Sequence, residues 1–215
     1  NKRAIEDHFD NNSELEAALR SRNKHKTADM VKDILPKDVG CIFVRQPEQL
    51  GLGNAVLCAE RVVGNEPFAL LLADDFLTNN GNGIISNLIY QFKKSGKTQL
   101  SVEEIDGPEI SKYGVVVKNK KTDVVSGLIE KPSFENAPSN LASIGRYILT
   151  PDIFDILRYQ STGVSDEIQL ADAINMQALN GMVETVKLDG RRFDCGSTKG
   201  YVDAIKYVSS NFKFS

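Results

Sequence analysis

The run Phe68-Ala69-Leu70-Leu71-Leu72-Ala73 is apolar at every position and stops abruptly at Asp74-Asp75. Continuous rather than alternating apolarity is the pattern of a strand buried on both faces, which requires helices on each side of a sheet. Strand-like and helix-like segments alternate along the rest of the chain, as an α/β fold demands. Ser13 with Glu16 predicts a capping box ahead of Leu15, Ala18 and Leu19, and Thr27–Leu35 a second helix ended by Pro36. A short strand is expected at Cys41–Val44, and a helix over Asn54–Val63 after the glycines at 51 and 53. Ile85, Leu88, Ile89 and Phe92 share one helical face, and Gly96 closes that helix.

The stretch 99–149 is β-rich, with strands expected at Gly114–Val117, Val124–Ile129 and Ile144–Leu149. Pro151 opens a helix, Glu167–Leu179 is helical, Val183–Leu188 is a strand, and Ser197 or Thr198 caps a last helix. One α/β domain over 1–215 is the expectation, without internal repeat or linker.

Charge and cysteine usage narrow the function. A formal net charge of -3 argues against a surface built to hold nucleic acid. No apolar run is long enough to span a membrane, and Asn1–Asp10 is too polar for a signal peptide. Cys41, Cys58 and Cys195 are odd in number and widely spaced, so neither a disulfide framework nor a thiolate metal site is expected. A reducing cytoplasm is the natural compartment. The two histidines, His8 and His25, lie in polar helical sequence, which leaves no Ser-His-Asp triad or histidine-rich metal site.

Three constellations remain. Asp74-Asp75 follows a strand, where open α/β sheets bind ligands, although aspartates also favour plain turns. Phe193-Asp194-Cys195-Gly196 places another aspartate between a strand and a helix N-terminus. Alone it reads as a cap, but Asp74 and Asp194 together could share one Mg2+ and leave positions for phosphates and water. Leu128-Ile129-Glu130-Lys131-Pro132 ends a strand with an acid that can accept from sugar hydroxyls and a base that can meet a phosphate. An ordinary exposed Glu-Lys pair fits that segment equally well. The loop Arg45–Gly53, with Gln46, Gly51 and Gly53, lets a ligand approach the backbone, and a Gln amide matches a uracil or thymine edge. It matches neither a Walker loop nor the Gly-x-Gly-x-x-Gly fingerprint.

Taken in order, these segments resemble the sugar-1-phosphate nucleotidylyltransferases, and within them the UTP-using, UDP-glucose-forming branch. The resemblance is carried by Ile5–Asp10, Arg45-Gln46 with Leu50–Gly53, Leu71–Asp75, Lys112–Val116, Glu130-Lys131-Pro132, Ala137–Ala142 with Gly145–Tyr147, Asp166–Leu170 and Asp194-Cys195-Gly196. It implies a doubly wound, mostly parallel Rossmann-like sheet with a small β subdomain over 99–149 that holds the sugar. It implies UTP and glucose 1-phosphate as substrates and UDP-glucose and pyrophosphate as products. By carry-over, Gln46 and the Gly51 backbone hold uracil, and Asp74 and Asp194 bind Mg2+. Glu130 and the Gly114 backbone hold glucose hydroxyls, and Lys131 the sugar phosphate. Asn140 lies in a matching motif and is assigned to the sugar, while Glu167 and Gln169 are read as structural.

The family begins with a strand and a glycine-rich loop whose Arg and Lys grip the UTP phosphates. No segment here matches that loop, since Asn1-Lys2-Arg3 aligns well after it. The 215-residue chain alone is therefore expected to turn over weakly, its full-length parent to be active, and the sheet to have an open edge. Enzymes making dTDP-glucose or ADP-glucose, a nucleotide-sugar glycosyltransferase and a noncatalytic nucleotide-sugar-binding module remain alternatives. A homo-oligomer is expected, although the apolar stripes of the terminal helices also fit core packing.

Overall fold

The computed structural model describes residues 3–79, 81–119, 124–161 and 166–212. Two compact units, Asn1–Arg45 and Gln46–Ser215, lie within the span that the sequence assigns to one domain. The first holds α1 (Arg3–Phe9), α2 (Ser13–Ser21) and α3 (His25–Lys32). Asn12, not Ser13, caps α2, its Oδ1 accepting from the Leu15 N–H at 3.0 Å. The cap shifts by one residue because the Glu16 N–H that a Ser13 capping box would use is already bonded to the Asn12 carbonyl at 3.0 Å. Arg20 ties α2 to α3 by donating to Glu16 at 3.0 Å and to Asp29 at 2.8 Å. Cys41–Val44 forms no strand and all four residues are exposed, a correction to the sequence reading. A short apolar run becomes a strand only where another strand supplies its ladder.

The second unit is built on a six-stranded sheet. In chain order its elements are α4 (Gly51–Cys58), α5 (Glu60–Val63), β1 (Phe68–Leu71), β2 (Asp75–Asn79), α6 (Ile84–Ser95), β3 (Thr98–Glu104), β4 (Gly114–Lys118) and β5 (Val125–Glu130). There follow β6 (Leu141–Leu149), α7 (Asp152–Tyr159), α8 (Leu170–Leu179), β7 (Val183–Lys187), β8 (Gly190–Asp194) and α9 (Thr198–Asn211). The strand order is β5-β4-β6-β3-β7, with β1 also paired to β6. Pairing of β3 with β7 is parallel and the remaining pairs are antiparallel, so the sheet is mixed.

Side-chain alternation along β6 divides the core between two faces. Leu149 packs with Leu100, Ile153, Leu157 and Ile174 on one face, covered by α7 and α8. Ile144 and Ile148 pack with Ile84 and Leu88 of α6 on the other. Full burial of a side chain such as Leu149 contributes roughly 1.5–3 kcal/mol. The strands buried on both faces are thus β3 and β6, not β1. In β1 the exposed positions alternate, and Leu71 is 53% exposed. The reason lies in placement: β1 hydrogen-bonds only to β6 among the described residues, and the face bearing Ala69 and Leu71 is open. As expected, Gly96 closes α6 in the left-handed conformation, its N–H donating to the Phe92 carbonyl at 2.7 Å.

An antiparallel ribbon of β2 and β8 stands apart from the main sheet. The sequence reading treated Asp74-Asp75 as the end of one strand. In fact Asp75 begins a second, and its register partner is Asp194. That pairing, across more than a hundred residues, brings the two acidic motifs together.

Candidate active site

Two clusters sit in the second unit. The first is the acidic end of the β2–β8 ribbon. Asp74 occupies the turn between β1 and β2, and its carbonyl accepts from the Cys195 N–H at 2.7 Å. Asp194 Oδ1 accepts from the Gly196 N–H at 3.1 Å, and Ser197 caps α9 through the Gly200 N–H at 3.0 Å. A Cβ on Gly196 would stand 3.2 Å from Asp74 Oδ2 and 3.1 Å from Asp194 Oδ1. Two carboxylate oxygens therefore face one small volume that a glycine keeps open. Hard oxygen donors from two carboxylates, with positions left over, suit Mg2+ completed by phosphate and water. The described residues contain no cluster of three or more acidic, histidine or cysteine ligands, so any metal here would lean on its substrate.

Asp75 has a different task. It is buried, its Oδ1 accepting from Arg192 Nε at 2.6 Å and its Oδ2 from the Gly145 N–H at 2.7 Å. Both oxygens are taken, so Asp75 is a structural ion-pair partner. Arg146 secures the same turn by donating to the carbonyls of Leu72 at 2.9 Å and Asp75 at 2.6 Å. Desolvation lowers the Arg146 pKa, only partly offset by the charge of Asp75.

The second cluster is a cavity of about 340 Å³ lined by Gly51, Gly114, Glu130, Lys131, Glu167 and Gln169, among others. Its glycines are there for steric reasons. Gly51 has φ +88, and a Cβ would meet Glu167 Cβ at 2.9 Å. Gly53 lies closer still to its neighbours, a Cβ there falling 2.6 Å from the Ile168 carbonyl oxygen. Backbone bonds from Gly53 to Ile168 and from Ile168 to Leu50, each 2.8 Å, strap the loop to the segment before α8. Beside this strap the Gln169 amide donates to Glu167 at 2.7 Å, and both side chains belong to the cavity lining. Gln46 does not line the cavity. It braces the loop, donating to the Gly51 carbonyl at 3.0 Å and to Asn54 Oδ1 at 2.9 Å.

Antiparallel register sets Gly114 opposite Glu130, and a Cβ on Gly114 would touch Glu130 Oε2 at 3.2 Å. Burial pushes the Glu130 carboxyl up, opposed by Lys131, whose Nζ lies 3.6 Å away. Lys131 takes φ +44, uncommon for a residue with a side chain, while its N–H donates to the Tyr113 carbonyl at 3.0 Å. Its side chain remains 64% exposed, able to meet an anion. Tyr147 forms part of the wall, its hydroxyl pushed up to about 12 by burial.

The structure therefore gathers Gly51, Gly114, Glu130 and Lys131 into one cavity and joins Asp74 with Asp194 in another cluster. Asn140 belongs to neither. It is exposed and donates to Asp106 at 3.1 Å. Sequence reasoning missed Arg192, although the alternation of β8 sets it on the same face as Asp194.

The nucleotidyl transferase family model matches residues 4–211. The chain belongs to that family. A UTP–glucose-1-phosphate uridylyltransferase of Haemophilus ducreyi is 42% identical over 213 residues, covering 94% of this chain and 72% of the relative. A UTP-bound UGPase from Acinetobacter baumannii superimposes with a TM-score of 0.88 at 36% identity, covering 97% of this chain and 74% of the other. A UDP-glucose pyrophosphorylase complexed with UDP-glucose gives 0.82 at 38% identity, covering 99% of this chain and 78% of that one.

Proposed function

We propose that this chain carries the machinery of a UTP–glucose-1-phosphate uridylyltransferase. The observation that carries the reading is the pairing of two distinct clusters in one unit: converging carboxylates, and a glycine-lined cavity ending in Glu130 and Lys131. Relatives that bind UTP and UDP-glucose support this choice of substrates.

A phosphate oxygen of glucose 1-phosphate attacks the UTP α-phosphorus, forming a new P–O bond. The bond from that phosphorus to the pyrophosphate oxygen breaks, and pyrophosphate leaves with the electron pair. No protein nucleophile is needed, so the work is alignment and charge neutralisation. Mg2+, when bound, offsets the repulsion between the two anions. Asp74 and Asp194 are its proposed ligands. Lys131 meets the sugar phosphate, and Glu130 with the Gly114 backbone receives the glucose hydroxyls. The Gly51 backbone and Gln46 hold uracil; with Gln46 Nε2 committed to Gly51 and Asn54, its Oε1 is the atom to accept from uracil N3–H. Asn140 retains its proposed sugar role only through contacts made when substrate is bound. In this reading the protein works in the cytoplasm, as a homo-oligomer. Among the described residues no helix is long and apolar enough to cross a membrane.

Calorimetry with the full-length gene product tests the reading. UDP-glucose is expected to bind, and Glu130→Ala to weaken it about tenfold, in line with loss of a buried charged hydrogen-bond acceptor. Equal affinity for UDP-glucose and for UDP alone would refute the sugar assignment.

A further inference from the structure

Arg192 lies beside Asp194 of the carboxylate pair and bonds to Tyr113, the chain neighbour of the cavity residue Gly114. Its side chain is only 8% exposed. Besides the bond to Asp75, it donates from Nη1 to the Tyr113 hydroxyl at 3.1 Å, and its guanidinium lies 4.9 Å from the Tyr113 ring centroid. Nη2 lies 4.0 Å from Asp194 Oδ2, and Nη1 lies 3.9 Å from Glu103 Oε2. Asp194 is half of the carboxylate pair. Tyr113 precedes Gly114, and its carbonyl receives the Lys131 N–H. Glu103, at 3.9 Å, is a weaker partner than the fully engaged Asp75 at 2.6 Å.

We propose that Arg192 is a positioning residue that holds the carboxylate pair and the sugar cavity in fixed relation, one guanidinium bonding to Asp75, beside Asp74, and to Tyr113, and standing 4.0 Å from Asp194. The proposal rests on the functional reading above. Its physical basis is the planar fork of arginine, which presents several N–H groups at fixed angles as a lysine ammonium cannot. Ribbon register explains the location: Asp75 pairs with Asp194 and Leu77 with Arg192, so Asp75 and Arg192 are diagonal neighbours on one face. The geometry is local to β2 and β8, and its reach to Tyr113 carries it across to β4.

Two separate binding measurements on the full-length gene product decide the matter. Mg2+ is titrated calorimetrically into protein saturated with UDP-glucose, and UDP-glucose is titrated separately in EDTA. Arg192→Met is expected to weaken both about tenfold, and Arg192→Lys to recover thermal stability but neither affinity. Tyr113→Phe is expected to weaken UDP-glucose alone, since it cuts only the arm toward β4. Leu88→Ala, a core change in the cluster on the opposite face of the sheet from the cavity, serves as the control for lost stability. Both affinities within twofold of wild type in Arg192→Met, with a lowered Tm, would reduce Arg192 to a structural ion-pair partner and overturn the inference. A wild-type protein that bound neither Mg2+ nor UDP-glucose would overturn the functional reading and the inference with it.

Discussion

The carboxylate end of the β2–β8 ribbon and the glycine-lined cavity solve opposite problems. At the ribbon, Asp74 and Asp194 aim oxygens at a volume that Gly196 leaves open, so negative charge gathers where a cation could be held. The cavity is lined by backbone at Gly51 and Gly114, with one half-buried carboxyl and one exposed lysine side chain. The first cluster depends on charge and tolerates little chemical change. The second depends on shape, and its weak points are steric. Residue type matters most where charge must be matched, and backbone conformation matters most where a ligand must come close.

That contrast can be broken in four places, in descending order of effect. Asp74→Ala and Asp194→Ala should each lower turnover about a thousandfold, as losses of preorganised charge stabilisation do. The Tm should stay within a few degrees, and a large loss of Tm would show the carboxylates to be structural.

Gly53→Ala should act the other way, on stability first. Its Cβ would meet a backbone oxygen and Leu157 Cδ2 at 2.8 Å, neither free to retreat far, and overpacking of this kind costs about 1–3 kcal/mol. Urea unfolding is the check, and an unchanged midpoint would mean that the strap to Ile168 is loose.

Glu130 gives a pH signature. Burial raises its pKa, so the protonated form persists to higher pH than for an exposed glutamate. Ionised Glu130 is the form that accepts from two hydroxyls, so KM for glucose 1-phosphate should rise severalfold as pH falls through that raised value. Glu130→Gln should flatten the profile. On stability the sign is reversed: the folded state binds the proton more tightly, so this group's contribution declines as pH rises between its unfolded and folded values.

The smallest effect is expected at Asn140. Exposed and bonded to Asp106, it should change KM for glucose 1-phosphate by less than about threefold on substitution by Ala, as for a partly solvated hydrogen bond. A tenfold change would bring Asn140 into the sugar contacts after all.

Much of the site was legible because its residues sit in short motifs whose chemistry is local. Glu130-Lys131-Pro132 ends a strand, Asp194-Cys195-Gly196 precedes a helix, and the glycines at 51 and 53 open one. Gly96 closes α6 where the pattern requires it. What local pattern does not contain is pairing. The apolar run at Phe68–Ala73 has the composition of a central strand, but its burial depends on neighbours that the run itself does not specify. Cys41–Val44 lacks a ladder partner for the same reason. Arg192 and Asp75 are far apart in sequence and meet only through the register of the ribbon, so neither motif alone reveals that Asp75 is spoken for.

The most direct test of the central claim is Mg2+-dependent release of pyrophosphate by the full-length gene product from glucose 1-phosphate, with UTP, dTTP, ATP or CTP supplied in turn. The account predicts turnover that prefers UTP and disappears in Asp74→Ala. Turnover with dTTP or ATP in place of UTP would contradict the uridylyl assignment, and a folded, metal-loaded protein inactive with every nucleotide would contradict the transferase reading itself.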